Sequence, residues 1–460
     1  MFIEDTISAA ATAMGEGAIG IVRISGPRSC EIAERIFKSA SGRSLTKYPP
    51  NTLLYGHVLD AEGATVDEVL AVFMRAPHSY TAENVVELQA HGSLRSLQKI
   101  LSLTYEAGAR PAEPGEFTKR AFLNGRIDLV QAEAVMDIIR ARSEASLKLA
   151  LRQQQGQLSR ELAVLRRKLV DVIVAIEAVI DYPEEDIEEI TLAKVKTAIE
   201  ETRVGIVALL ANSHTGRIMR EGMKTVIIGR PNVGKSSLLN RLLREERAIV
   251  SEFPGTTRDL IEEQLLLDGI PLVLTDTAGI RATEDHVEKI GVAKTKETLK
   301  DAELAVVVLD GAQTLQEEDR EILLSVKEKP YVIIVNKSDL EQKLERISIE
   351  EEFGTDNVVL LSAKTADGVE AFIAWLKKFV YGAPGRLEDG VYVQNARHEQ
   401  LLRQACGSLD DALTAIEDKV PYDCIIIDLR NAIEAIGLIT GDTVSDEIIN
   451  EIFARFCVGK

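Results

Sequence analysis

The sequence is poor in cysteine and tryptophan, contains no long apolar run and has no excess of basic residues. Its 4 cysteines among 460 residues show no metal-ligand spacing, which predicts free thiols in a reducing compartment. No apolar run approaches the length that spans a bilayer, and the N-terminus lacks the charged-then-apolar pattern of a secretion signal. We therefore expect a soluble cytoplasmic protein that makes no membrane contact.

The net charge of −19 excludes a general affinity for nucleic acid, because phosphate binding depends on the number of cations that a surface presents. Contact with RNA would require a local basic patch. Basic residues do gather in one predicted helical region, where a solvated helix face is the simpler interpretation. These residues are Arg140, Arg142, Arg152, Arg160, Arg166, Arg167 and Lys168.

A complete phosphate-binding loop, GxxxxGKS, occupies residues 229–236 directly after the apolar run Thr225–Ile228. Its glycines let backbone N–H groups curl around phosphate oxygens, while Lys235 can reach the outer phosphates and Ser236 offers a hydroxyl to Mg²⁺. The pattern predicts a nucleoside triphosphate site. Its predicted contacts are Asn232, Val233, Gly234, Lys235, Ser236 and Ser237.

Two later motifs predict that the base is guanine. Asn336, Lys337 and Asp339 follow the apolar run Tyr331–Val335, and the Asp339 carboxylate can accept two N–H bonds that adenine cannot supply. The second motif follows the run Val358–Leu361, where the Ala363 N–H is placed to bind the guanine oxygen. It comprises Ser362, Ala363 and Lys364. The sequence therefore predicts a GTP site.

Two further segments are predicted to surround the terminal phosphate. Asp276, after the run Ile270–Thr275, can hold Mg²⁺ through water, the Gly279 N–H can bind the third phosphate, and Thr257 offers a second hydroxyl to the metal. We expect both segments to order with GTP. Their predicted GTP contacts are Ser251, Glu252, Phe253, Pro254, Gly255, Thr256, Thr257, Asp276, Thr277, Ala278 and Gly279.

Ile280 stands where many small GTPases carry the glutamine that orients the attacking water, a task that an isoleucine side chain cannot perform. Another residue of this segment must therefore act on the water. A carboxylate is the better water-positioner and an arginine the better charge neutraliser. Spacing leaves four candidates open: Arg281, Glu284, Asp285 and Glu288.

The chain is long enough for about two to four domains. Residues 1–120 alternate strand-like and helical segments, as expected of an α+β domain, whereas apolar residues recur at helical spacing from Leu129 to Ile180 and again after Tyr381. We predict an α+β domain at 1–120, a discontinuous helical domain at 121–217 and 383–460, and a Ras-like α/β GTPase domain inserted at 218–382. The stretches Asn212–Gly222 and Gly382–Gly385 are the predicted linkers.

Besides the GTPase motifs, four segments are specific because none is a widespread domain signature. They are Gly20–Gly26, Pro114–Arg126, Asp128–Glu133 and Phe456–Lys460. Together these motifs resemble the MnmE (TrmE) family of tRNA modification GTPases along the whole chain.

The resemblance implies a cytoplasmic homodimer joined through its N-terminal domains. It also implies a heterotetramer or larger complex with the FAD enzyme MnmG. This complex would build a (carboxymethyl)aminomethyl-type group at C5 of the wobble uridine of tRNA. The carbon would come from formyl- or methylene-tetrahydrofolate bound to a folate-binding-like N-terminal domain. The positions that match the family's folate contacts are Arg23, Glu87, Arg126 and Lys460.

The resemblance also implies that GTPase domains pair in the presence of K⁺, with Glu288 acting on water. The implied K⁺ ligands are Asn232, Ser251, Phe253 and Thr256. The chain departs from the family pattern at the turn Ser79–Asn84, where alanine replaces the usual glycine, and at Ser93, which replaces a second glycine. Arg126 stands where lysine is common but keeps the charge.

A competing hypothesis is a GTPase switch that modifies no tRNA, such as a ribosome-assembly factor. Its GTPase motifs could be the same, but it would need a basic RNA-binding module, and residues 1–120 contain no platform of aromatic and basic residues. A membrane-remodelling GTPase is disfavoured by the missing apolar or basic anchor.

Overall fold

A computed structural model of the chain describes residues 5–181, 188–244, 263–274, 299, 301–382 and 390–460. The chain divides into two compact units. Unit 1 comprises Met1–Met136, Gln153–Arg166 and Ile433–Lys460, and unit 2 comprises Asp137–Arg152 and Arg167–Ala432. Within the described residues, no helix combines the length and the apolar content that crossing a membrane requires. The three predicted domain boundaries, at 120/121, 217/218 and 382/383, stay predictions.

Unit 1 contains a seven-stranded sheet in the order β3-β4-β5-β6-β2-β1-β7. Its pairs are antiparallel except β1 with β7. The strands are β1 (Ile7–Ala10), β2 (Gly17–Ser25), β3 (Phe37–Ser39), β4 (Leu53–Leu59), β5 (Thr65–Met74), β6 (Val85–Gly92) and β7 (Arg110–Pro111).

The two faces of this sheet differ because side chains alternate along each strand. Val22, Ile24 and Leu88 are fully buried in a core shared with the helices α1 (Ser29–Ile36) and α2 (Leu94–Glu106). The opposite face carries Arg23 and Glu87 on neighbouring strands, and it is only partly covered. A separate short helix, α3 (Glu116–Leu123), follows β7. The expected α+β architecture of this region is confirmed.

One predicted helix of unit 1 is wrong at its end. Helical periodicity predicts a helix as far as Ser39, but α1 ends at Ile36. Phe37 has the extended backbone angles φ −108° and ψ 133°, and it pairs with Val58 of β4. Pairing with a strand distant in sequence therefore overrides the local helical pattern.

The long helical region after Leu129 is not continuous. Residues Ala141–Ser143 interrupt it, because the Ser143 and Ser146 hydroxyls accept reciprocal bonds from each other's backbone N–H at 3.0 Å and start a new helix. The helices from this region up to the second sheet are α4 (Leu129–Arg140), α5 (Glu144–Gln154), α6 (Gln157–Asp181), α7 (Glu188–Ala211) and α8 (Ser213–Glu221).

Unit 2 contains a six-stranded sheet in the order β13-β12-β11-β8-β10-β9. All its pairs are parallel except β9 with β10. Its strands are β8 (Met223–Ile228), β9 (Glu263–Leu267), β10 (Ile270–Leu274), β11 (Leu304–Asp310), β12 (Tyr331–Asn336) and β13 (Val358–Leu360).

This sheet is the expected Ras-like α/β arrangement, with β8 at the point where strand order reverses, which is where open α/β sheets bind ligands. The buried strands read as apolar runs because helices cover both faces of a parallel sheet. The remaining helices among the described residues are α9 (Lys235–Arg244), α10 (Glu317–Val326), α11 (Arg346–Phe353), α12 (Val369–Tyr381), α13 (Ala396–Glu417), α14 (Tyr422–Thr440) and α15 (Asp446–Ala454).

Candidate functional site

The phosphate-binding loop connects the end of β8 to the start of α9. Gly234 has φ +100°, and a Cβ there would lie 2.2 Å from Asn336 Nδ2, so both the backbone conformation and the space require glycine. Asn232 adopts the left-handed φ of 63° and is exposed. Ser236 and Ser237 are exposed in the first turn of α9. The loop is therefore an open backbone cradle at a helix N-terminus, which fits a phosphate chain.

The Lys235 side chain lies along the phosphate-binding loop and bonds to its backbone. Lys235 Nζ donates to the carbonyl oxygens of Gly229 and Arg230 at 2.7 Å each. Burial lowers the pKa of Lys235, because desolvation disfavours the charged form. Arg230 is in turn held by Asp319, whose buried carboxylate accepts from Arg230 Nε at 2.7 Å. The loop conformation is thus supported by neighbours outside it.

Asn336 connects the phosphate loop to the second guanine motif. Its side chain is buried, and Nδ2 donates to the Val233 carbonyl at 2.8 Å while Oδ1 accepts from the Ala363 N–H at 3.0 Å. Binding of the guanine oxygen by the Ala363 N–H stays a prediction. The sequence predicts Asn336 only as a nucleotide contact. Its side chain also connects Val233 with Ala363, two residues that are 130 positions apart, and the sequence does not show that they lie close together.

The candidate base-reading carboxylate is Asp339. It is exposed, and its Oδ1 accepts from the buried Ser362 hydroxyl at 2.6 Å. That hydrogen bond lowers the pKa of Asp339. The carboxylate is therefore anionic at neutral pH, as it must be to accept two N–H bonds from a guanine edge.

Lys337 lies across the floor of the same site with a left-handed φ of 65°. Its Nζ donates to Asp310 Oδ2 at 2.7 Å and to the Asn232 carbonyl at 3.1 Å. The described parts of the three motifs, carried by residues 229–237, 336–339 and 362–364, therefore meet at one edge of the sheet.

Several predicted site residues lie outside the described residues. They are Ser251, Glu252, Phe253, Pro254, Gly255, Thr256, Thr257, Asp276, Thr277, Ala278 and Gly279, together with Ile280 and the four water-positioning candidates Arg281, Glu284, Asp285 and Glu288. Of the implied K⁺ ligands only Asn232 is described.

The candidate folate residues of unit 1 lie around one aromatic ring. Arg23 of β2 pairs with Glu87 of β6, with 2.8 Å between Nε and Oε1, and each side chain is 15% exposed. The Arg23 guanidinium lies 5.2 Å from the centroid of the Tyr80 ring and 5.5 Å from that of Phe117. Packing against two rings orients the guanidinium toward the partly covered face of the sheet.

Arg126 lies against the same tyrosine. Its Cζ is 5.0 Å from the centroid of the Tyr80 ring, and Nη1 donates to the Tyr80 carbonyl at 2.8 Å. The Tyr80 hydroxyl is bonded to the Thr118 hydroxyl at 2.8 Å, which fixes the ring. Sequence analysis did not select Tyr80, although it is part of the segment Ser79–Asn84.

The C-terminal lysine reaches the same region. The Lys460 carbonyl accepts from the Phe117 N–H at 3.2 Å, and Phe117 is the second ring beneath Arg23. The structure therefore brings the side chains of Arg23, Glu87 and Arg126 together within unit 1, and it places the backbone of Lys460 against Phe117 beside them.

A buried ionic network supports this region and was not predicted. Arg120 is fully buried, and Nη2 donates to Asp5 Oδ1 at 2.6 Å and to Glu116 Oε1 at 3.0 Å. Burial raises the pKa values of Asp5 and Glu116, but hydrogen bonds from Arg110 and Arg120 outweigh it and hold both below the ordinary range. The network therefore stabilises the fold above the ordinary carboxyl pKa values, and that stability is lost as pH falls through the lower folded-state values.

Ala82 stands where the family pattern usually has glycine, and it adopts a backbone conformation typical of glycine. Ala82 adopts the left-handed φ of 61°, which suits the glycine that is usual at this position. Asn84 Oδ1 accepts from the Ala76 N–H at 3.0 Å and anchors the other end of the turn. The turn Ser79–Asn84 therefore forms with backbone strain at Ala82, because alanine disfavours the left-handed conformation.

Two family models match the chain. One, described as the MnmE helical domain, matches residues 129–457, and the other, described as the GTP-binding protein TrmE N-terminus, matches residues 6–126. Among curated proteins, a tRNA modification GTPase MnmE of Clostridioides difficile (strain 630) is 47% identical over 460 residues, and the match covers 100% of each chain.

Proteins of the same name from other organisms match similarly. That of Alkaliphilus oremlandii (strain OhILAs) is 47% identical over 461 residues, covering 100% of both chains. Among solved structures, the G domain of the T. maritima FeoB iron transporter is 26% identical and covers 34% of this chain and 96% of that one. Its TM-score of 0.25 is too low to support a conclusion about the fold.

Proposed function

The chain belongs to the MnmE (TrmE) family and is a GTPase of tRNA modification, and from this premise we propose its specific reaction. Together with the FAD enzyme MnmG, it installs a (carboxymethyl)aminomethyl-type group at C5 of the wobble uridine of cytoplasmic tRNA. The bound reduced folate supplies the one-carbon unit. The observation that carries the proposal is the cluster of Arg23, Glu87 and Arg126 beside Tyr80, with the backbone of Lys460 bonded to Phe117 next to it.

The chemistry of this cluster suits a reduced folate. A folate has an aromatic pterin with N–H donors at one end and carboxylates at the other. Glu87 is an acceptor that is only 15% exposed, and Arg126 is an exposed cation held by the Tyr80 carbonyl. We assign Glu87, held in place by Arg23, to the pterin and the cations Arg126 and Lys460 to the carboxylates, because cations pair with carboxylates in charge-assisted bonds.

The nucleotide site fits GTP with Mg²⁺. We assign the backbone cradle of residues 232–236 and the Lys235 ammonium to the phosphates, Ser236 to Mg²⁺ and Asp339 to the guanine edge. Bound Mg²⁺ neutralises charge on the phosphate oxygens. Asn232 is exposed and has a left-handed backbone, so its side chain is accessible to the proposed K⁺ ion, which supports its assignment as a ligand.

For the segments outside the described residues, we propose the roles implied by family membership. Thr257 is a second Mg²⁺ ligand, and Ser251, Phe253 and Thr256 complete the K⁺ site with Asn232. Glu288 acts on the attacking water, because Ile280 cannot. Hydrolysis is then coupled to pairing of two GTPase domains.

An exposed apolar surface on unit 1 supports a homodimer. On the sheet face opposite α1 and α2, Tyr55 pairs with Leu70 and is 46% exposed, while Leu70 is 39%, Leu53 53% and Ile19 61% exposed. Leu53, Tyr55 and Leu70 lie next to one another on β4 and β5, and exposed apolar patches of this kind mark interaction surfaces. We propose that two N-terminal domains join through this face.

The test is nucleoside mass spectrometry of tRNA from cells that lack the gene, with and without a plasmid copy. We expect the C5 group of the wobble uridine to disappear, to return with the parent gene and to stay absent with Glu87→Ala. A ribosome-assembly GTPase would instead leave wobble nucleosides unchanged and cause ribosomal precursors to accumulate. Unchanged nucleosides in the deletion strain would therefore exclude the proposed reaction.

A further inference from the structure

Arg241 links the helix of the phosphate loop to the loop of the second guanine motif. It lies in α9, 6 residues after Lys235. Its Nε donates to the Ala363 carbonyl at 3.0 Å, and its Nη2 donates to the Lys364 carbonyl at 2.6 Å. One planar guanidinium therefore holds two successive carbonyl groups, although 122 residues separate Arg241 from Ala363 along the chain.

These bonds act on a residue that is also held from its other side. The Ala363 N–H donates to Asn336 Oδ1 at 3.0 Å, so both peptide groups of Ala363 are fixed by side chains of other elements. Ala363 itself is 7% exposed, and Ser362 before it is fully buried. Movement of the Ala363 peptide therefore requires its bonds to Asn336 and Arg241 to break.

We propose that Arg241 is a positioning residue for guanine recognition. By holding the Ala363 and Lys364 carbonyls, it fixes the Ala363 peptide, whose N–H donates to Asn336 Oδ1 in this structure and is predicted to bind the guanine 6-oxo group when nucleotide is present. It also ties that loop to the helix whose N-terminus receives the phosphates, so base and phosphates are bound by one connected framework. The inference rests on the proposed role of Ala363 in reading the base.

A purely structural role for Arg241 predicts a different result from a role in base reading. General loosening of the site would weaken every nucleotide equally. Loss of the Ala363 donor would weaken only ligands that have a good acceptor at position 6. The diphosphate of 6-thioguanosine keeps the N–H groups that Asp339 reads and replaces the 6-oxo group with sulfur, which is a weak acceptor.

The experiment is calorimetric titration of the full chain with GDP and with 6-thio-GDP. Arg241→Met keeps the aliphatic stem and removes both donors. We expect it to weaken GDP binding about tenfold, the value of one net hydrogen bond, and to weaken 6-thio-GDP binding less than about twofold. Arg241→Lys keeps a charged donor and should give an intermediate loss for GDP, a comparison that remains usable if the methionine variant folds poorly.

The control is Arg244→Met, the same substitution at an exposed arginine of the same helix, which should leave both affinities unchanged. Equal losses for the two ligands, or no loss for GDP, in Arg241→Met and Arg241→Lys would overturn the role of Arg241. If the parent protein binds GDP and 6-thio-GDP equally well, the proposed role of Ala363 fails, and the inference fails with it.

Discussion

Replacement of Asn336 by alanine removes the brace between the phosphate loop and the second guanine motif. The asparagine side chain is 2% exposed and bonds to the Val233 carbonyl at 2.8 Å and to the Ala363 N–H at 3.0 Å. Val233 and Ala363 are 2% and 7% exposed, so water reaches neither group easily. Asn336→Ala therefore leaves the buried Val233 carbonyl and the buried Ala363 N–H without their hydrogen-bond partner.

The magnitude follows from those two groups. A buried polar group that loses its partner costs roughly 1 to 3 kcal/mol. Two unpaired groups would lower the free energy of unfolding by about 2 to 6 kcal/mol. Small movements that let water reach these groups reduce the loss, so we expect a value in the lower half of this range. We expect the free energy of unfolding of the unit 2 sheet to fall by about 3 kcal/mol, a large share of the stability of a typical domain.

The assay uses the single tryptophan of the chain. Trp375 in α12 stacks on Phe379 with 5.3 Å between ring centroids, and its Nε1 donates to Asn357 at 3.0 Å, so its fluorescence reports unfolding of this unit in urea. The control is Asn240→Ala, an exposed asparagine of α9, expected to stay within about 0.5 kcal/mol of the parent. A parental urea midpoint for Asn336→Ala would refute the bracing role.

Four further predictions concern the proposed sites. GTP turnover should depend on K⁺ more than on Na⁺ and lose that dependence in Asn232→Ala, whereas equal parental rates in both salts at matched ionic strength would exclude the K⁺ site. Glu288→Ala should slow single-turnover hydrolysis by a factor on the order of a hundred with GTP affinity nearly intact, and hydrolysis at the parental rate would return the other candidates to consideration. Glu87→Ala should weaken folate binding in calorimetry by about 1.5 to 3 kcal/mol while basal GTP hydrolysis stays normal; undiminished affinity in both Glu87→Ala and Arg23→Ala would place the folate elsewhere. Ala82→Gly should raise the free energy of unfolding by about 0.5 to 1 kcal/mol, because relief of left-handed strain exceeds the added unfolded-chain entropy, and a lower melting temperature in calorimetry would contradict this.

The nucleotide site was largely predictable because its motifs are local and follow buried strands. Strand ends of a parallel sheet meet at one edge, so the position of Asn336 at the end of β12 and of Ser362 after β13 predicts their approach to the phosphate loop. The contacts that fix these loops were not predictable. The bond from Arg241 to Ala363 depends on side-chain directions across the sheet, which no spacing in the sequence specifies.

Two features of the fold could not be predicted from the sequence. The strand β1 (Ile7–Ala10) contains serine and alanine, which have little strand preference, and it is fixed by pairing with β2 and with β7 at Arg110, about a hundred residues later in the chain. The predicted linker Asn212–Gly222 contains the helix α8, and its role as a linker stays a prediction. Gly216 in this helix is required by packing, since a Cβ there would lie 2.4 Å from the Val393 carbonyl oxygen.

The candidate folate cluster shows what resemblance adds to residue patterns. Nothing in the spacing of Arg23, Glu87 and Arg126 connects them, and only matching motifs selected them. The structure then places both arginines against Tyr80, a residue that the motifs contain but that was not singled out. The contact of both guanidinium groups with the Tyr80 ring depends on the fold and could not be predicted from the sequence.

The proposed reaction is tested most directly by the mass of the wobble nucleoside after reconstitution. Unmodified tRNA is incubated with the purified chain, its FAD partner, GTP, K⁺, methylene-tetrahydrofolate and glycine or ammonium. We predict that the C5 group appears on the wobble uridine, and that it is absent when the folate is omitted or when Lys235→Ala replaces the parent chain. The same yield of modified uridine without folate, or with Lys235→Ala, would contradict the proposal that this chain couples GTP hydrolysis and folate chemistry to tRNA modification.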